Sequence, residues 1–107
     1  MADSQLRKGV LELAVLAQLD AKPTYGGGLL EALAELGLEL SPGTLYPLLT
    51  RLKKSGFLAT HWEESPVGPP RKVYSVTPAG RERSVSLAAE WRDLEAVIDS
   101  LLKGPDQ

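Results

Sequence analysis

A chain of 107 residues, 43% of them hydrophobic, suffices for one domain with a small core. With no cysteine and a single histidine it offers neither a disulfide nor a thiolate metal site, and no metal and no cofactor is expected. A net charge of −2 argues against a generic nucleic-acid binder, and the lack of a membrane-length apolar run or a signal-peptide core points to the cytoplasm, with no membrane partner.

From Ser4 to about Leu19 the spacing predicts a helix, with Asp3 or Ser4 as its cap. Leu6, Val10, Leu13 and Ala17 form one apolar stripe, and Leu11, Val15 and Leu19 another. So wide a surface asks for cover on two sides, from its own domain and from a second chain. Asp20 to Pro23 end this helix, and Thr24, Tyr25 and the glycines 26–28 open a second, expected over Leu29–Leu36 with Gly37 as its stop. The glycine run lacks the lysine-serine/threonine pair and the preceding strand of a phosphate loop. It reads instead as a helix start of weak propensity and local flexibility.

The stretch from Ser41 to Leu58 reads as a third helix with both ends marked. Ser41 caps it, Pro42 suits the first helical position, and Gly56 supplies a left-handed residue after the last turn. Leu45, Leu48, Leu49 and Leu52 fall at i, i+3, i+4 and i+7, so one stripe is buried. The opposite arc holds Gly43, Pro47, Thr50 and Lys54, flanked by Thr44, Tyr46 and Arg51, with no acid among them. Such a face suits a major-groove reader, since base edges want donors and phosphates want cations; an ordinary surface helix is the plainer alternative. Pro47 removes one helical bond near the N-terminus, where a bend absorbs part of the cost. The second and third helices, joined by residues 37–40, make a helix-turn-helix.

Beyond Gly56 the period changes to two. Leu58, Thr60 and Trp62 alternate with Ala59, His61 and Glu63 in a half-buried strand, and Lys72 to Val76 supply its partner. Ser65 to Pro70 cannot continue either strand and form a proline-stiffened tip, with Arg71 and Lys72 at the returning base. A hairpin after a helix-turn-helix is a wing, and His61 reads as an ordinary strand residue. Thr77 and Pro78 then start a last helix reaching Lys103, roughly 39 Å long at its standard rise. Leu87, Trp91, Leu94, Ile98 and Leu101 follow at heptad spacing, widened by Val97 and Leu102. Overhanging a small domain, this helix reads as a dimerisation arm packed with a partner's first helix, the alternative being a helix folded back on its own core.

The expected fold is therefore α+β, mostly α: a winged helix-turn-helix of three helices and a β-hairpin wing, with a long C-terminal dimerisation helix. Residues 1–77 make the DNA-binding domain and 78–107 the dimerisation helix, together one compact unit. Charge is uneven, −3 over residues 1–43, +4 over 44–83 and −3 over 84–107, which fits a local footprint on DNA. A winged helix used only for protein contacts would suit the acidic total. An enzyme is the remote reading, since no nucleophile triad, carboxylate pair with a pocket or cofactor loop can be assembled.

Nearly the whole chain resembles the PadR-family transcriptional regulators of the short type. The resemblance rests on residues 6–16, on Ser-Pro-Gly-Thr-Leu-Tyr-Pro-Leu-Leu-Thr-Arg-Leu at 41–52, on Gly56-Phe-Leu58, Arg71-Lys-Val-Tyr74 and Thr77-Pro-Ala-Gly80. The 41–52 motif is the specific one. The resemblance implies a homodimer on a pseudo-palindromic operator in double-stranded DNA, usually repressing and released by a small-molecule effector. It assigns DNA contact to Ser41, Gly43, Thr44, Tyr46, Pro47 and Arg51, and wing contact to Arg71 and Lys72. Where relatives carry His/Tyr-Gly-Tyr, this chain has Tyr25-Gly26-Gly27, so only Tyr25 remains to supply that phosphate contact. A Trp91 pair at the two-fold offers flat faces for a planar aromatic effector, or simply fills the interface. The expected dimer interface joins Leu6, Val10 and Leu13 to Leu87, Trp91, Leu94, Ile98 and Leu101.

Overall fold

The computed structural model describes residues 5–104, of which 5–8 as backbone only. The candidate caps Asp3 and Ser4 and the side chain of Leu6 lie outside the described residues. The elements run α1 (Gln5–Ala21), β1 (Thr24–Tyr25), α2 (Gly26–Glu35), α3 (Pro42–Lys54), β2 (Leu58–Glu63), β3 (Arg71–Val76) and α4 (Pro78–Lys103).

The two stripes of α1 part company. Leu11, Val15 and Leu19 are buried, the last two joined by Leu16 in the core with α2, α3 and the sheet, while Val10 and Leu13 are only half-buried and Ala17 is exposed. On α3 the stripe is buried as its spacing dictates. Leu45, Leu49 and Leu52 are fully buried, and Leu48 packs beside them. Ser41 accepts a hydrogen bond from the Thr44 N–H at 3.2 Å, Pro42 takes the first turn, and Gly56 has φ +83°, which ends the helix where only glycine enters without strain. Helix α3 runs through Pro47 as one element.

Two local expectations need correction. Helix α2 begins at Gly26, three residues before Leu29, because tertiary contacts override the poor propensity of glycine. A Cβ on Gly26 would stand 2.5 Å from the Tyr46 ring and hydroxyl, and one on Gly28 would overlap the Thr24 hydroxyl. Ahead of it Thr24 and Tyr25 form a strand that short-range pattern does not reveal, pairing with Tyr74 and Val73. The sheet is therefore three-stranded and antiparallel, ordered β1-β3-β2.

In the hairpin, Leu58↔Val76, Thr60↔Tyr74 and Trp62↔Lys72 share one face, and Ala59↔Ser75, His61↔Val73 and Glu63↔Arg71 the other. Leu58, Tyr74 and Val76 join the core, but Trp62 is 69% exposed. The expected half-buried strand holds only at its base, since beyond Thr60 every residue of β2 is exposed.

Helix α4 is pinned to the turn that ends α3. Thr77 caps its first turn by accepting from Gly80 N at 3.0 Å, donates to the Gly56 carbonyl at 2.6 Å, and its N–H bonds the Phe57 carbonyl at 3.1 Å. Gly80 is buried so closely on Phe57 that any Cβ would overlap the Phe57 carbonyl oxygen. From this anchor α4 packs along α1 and then leaves it, drawing the molecule out to 61 × 30 × 20 Å. The result is a winged helix-turn-helix with a long C-terminal helix, mostly α with a small antiparallel sheet.

Candidate nucleic-acid interface

Burying Leu45, Leu49 and Leu52 turns the rest of α3 outward. Ser41, Gly43, Tyr46, Pro47, Thr50, Arg51 and Lys54 are exposed and Thr44 is half-exposed. Their donors are not equally free. The Thr50 hydroxyl donates to the Tyr46 carbonyl at 3.1 Å, and the Ser41 hydroxyl donates to Thr44 Oγ1 at 3.2 Å. Both oxygens still accept, whereas the Arg51 and Lys54 heads remain donors only. Lys53, a cation not among the expected contacts, is exposed on the Tyr46 side of the helix. Arg51, Lys53 and Lys54 also sit in the last turn, where they offset the negative end of the helix dipole. Tyr46 has a second task, because its ring lies over Gly26 and ties α3 to the start of α2.

At the wing base the two cations point to opposite faces. Arg71 stacks over the Tyr25 ring, 4.3 Å from its centroid, so two expected contacts distant in sequence form one unit across β1 and β3. Lys72 lies on the core-side face, its ammonium 5.8 Å from the Tyr74 ring. His61 sits exposed on β2 with its Nε2 3.2 Å from Glu63.

Sequence reasoning passed over a cluster between α1, α3 and α4. The Glu12 side chain is only 13% exposed; its Oε2 accepts from Arg83 Nε at 2.7 Å and its Oε1 lies 3.7 Å from Arg51. Arg83 also reaches over the Phe57 ring at 5.9 Å. The Glu12 hydrogen bond raises the pKa of Arg83, burial opposing it, and the charges of Glu12 and Glu90 add to the rise. The one sequence signal was an acid inside an apolar helix, and its partners stand too far along the chain for any periodicity to mark them.

The expected dimer residues on α4 divide at Trp91. Leu87 packs against the core, whereas Leu94, Val97, Ile98, Leu101 and Leu102 stand exposed on one side of the overhang. Val10, Leu13, Leu87, Trp91 and Leu94 line a cleft of about 330 Å³ between α1 and α4, and Trp91 also borders a second, apolar hollow farther out with Leu94, Ile98 and Leu102. Among the described residues no group of three His, Cys, Asp or Glu side chains could hold a metal ion. Nor is any described helix long and apolar enough to cross a membrane.

Comparison with known proteins agrees with this architecture. The family described as "Transcriptional regulator PadR-like family" matches residues 15–85. Transcriptional regulator Rv3488 of Mycobacterium tuberculosis is 35% identical over 101 residues, spanning 94% of this chain and 90% of that protein. A PadR-like transcription factor from Bacteroides fragilis is 40% identical with a TM-score of 0.78, covering 91% of this chain and 94% of its own. A PadR family transcriptional regulator from Eggerthella lenta is 37% identical with a TM-score of 0.86, covering 94% and 88%.

Proposed function

Because the chain belongs to the PadR-like family of transcriptional regulators, we propose that it is a sequence-specific, homodimeric DNA-binding repressor released by a small molecule, and not an enzyme. The observation that carries the reading is α3: a capped helix with three buried leucines, an acid-free outer face and three cations in its last turn. In this reading α3 enters the major groove and Ser41, Gly43, Thr44, Tyr46, Pro47, Thr50, Arg51 and Lys54 face the duplex. Tyr25 and Arg71 act together on the backbone, and Lys72 contacts it from the opposite face of the wing. Residues up to 77 read DNA and the remainder dimerises, α4 of one subunit covering the exposed stripe of the other together with α1. The two reading helices then meet half-sites about one helical turn, roughly 34–36 Å, or a multiple apart. The Trp91 clefts are the proposed effector site, suited to a planar aromatic molecule stacked near the two-fold axis.

A salt titration of duplex binding tests the reading. Affinity is expected to fall steeply, with a log-log slope of about −0.9 per phosphate neutralised. Arg51→Ala should flatten that slope by about 1 if Arg51 meets a phosphate, or cost selectivity at one operator position if it meets a base. A protein-contact module, the reading that the net charge of −2 favours, would bind no duplex at any salt.

A further inference from the structure

Arg51, a proposed DNA contact, faces an anion within its own protein. Glu12 Oε1 is 3.7 Å away, beyond hydrogen-bond length, and the Arg51 side chain is 58% exposed, so it is drawn toward the carboxylate without being locked to it. The other Glu12 oxygen is held by Arg83 of α4 at 2.7 Å, a charge-assisted bond. At 13% exposure this carboxylate is screened little by salt. Glu12 adjoins Leu13, and Arg83 lies one turn before Leu87; both leucines line the α1–α4 cleft. Glu12 thus stands where the long C-terminal helix, the first helix and α3 meet.

We propose that Glu12 is a positioning residue that competes with the DNA backbone for Arg51, and that Arg83 sets the strength of that competition by sharing the carboxylate. The proposal rests on the DNA-binding reading above. When Arg51 turns to a phosphate it gives up its attraction to Glu12, so Glu12 lowers affinity on every sequence. Arg83 counters the Glu12 charge and so relieves the loss. Two neutralising variants should therefore act in opposite directions through one side chain.

The test measures binding of the full-length protein to a mixed-sequence duplex at low salt by fluorescence anisotropy. Glu12→Gln, which keeps an acceptor for Arg83, should tighten binding roughly two- to five-fold, and Arg83→Gln should weaken it by a similar factor, as expected of a loose pair whose cation is largely exposed. Both variants also change net charge, which alone would move affinity in these directions, so each is repeated in the Arg51→Ala background. Loss of both effects there supports the competition. Effects that persist at full size without Arg51 are long-range charge and overturn it, as do variants indistinguishable from wild type. A wild-type chain that binds no duplex overturns the DNA-binding reading and this inference with it. A wild type that binds while the variants stay unmoved removes this inference alone. Should Glu12→Gln lose its thermal transition, the Arg83→Gln pair decides.

Discussion

Helix α3 and the outer half of α4 are both leucine-rich and amphipathic, yet they end in opposite environments. Leu45, Leu49 and Leu52 are fully buried, whereas Leu94 and Leu101 are 61% and 70% exposed. Apolar periodicity states that a face needs cover but not what covers it. For α3 the cover is α1, α2 and the sheet of its own chain. For α4 it runs out after Leu87, because the helix is longer than the body to which Thr77 and Gly80 pin it. So large an exposed apolar stripe is the face on which the proposed dimer rests.

The largest effect should separate the two faces directly. Leu49→Ala removes a fully buried side chain from the core and is expected to cost ~2–5 kcal/mol in urea unfolding. A loss well under 1 kcal/mol would mean that α3 is not packed as described. Leu94→Asp probes the opposite case. Placed in the proposed dimer seam, the charge is buried without a partner, and the expected outcome is monomer or insoluble protein. In a chain that needs no partner the same change is harmless, so light scattering that finds wild type monomeric at micromolar concentration breaks the comparison. The smallest signal concerns the boundary between covered and exposed α4, where Trp91 sits. In a Trp62→Phe background Trp91 reports alone, and planar aromatic compounds that release DNA should perturb its fluorescence. Release without any change at Trp91 would move the effector site elsewhere.

Much of this was legible because the signals were local. The caps at Ser41 and Thr77, the stop at Gly56 and the 26-residue span of α4 depend on a few neighbours and stand where the sequence points. The glycine-rich start of α2 misled for the opposite reason. Propensity opposes a helix there, but Tyr46 and Thr24 fill the space that side chains would take. Strand β1 is two residues long and has no period to detect; its existence depends on Val73 and Tyr74, far along the chain.

By itself the sequence determined which helices form, where they stop and which faces are apolar, since capping and periodicity are properties of neighbouring residues. Only the tertiary structure decided which polar side chains meet. Arg71 lies over Tyr25, and Glu12 stands between Arg83 and Arg51, because helices and strands distant along the chain converge there. A charge carries no period, so its partner is set by the path of the backbone through space and not by the residues beside it.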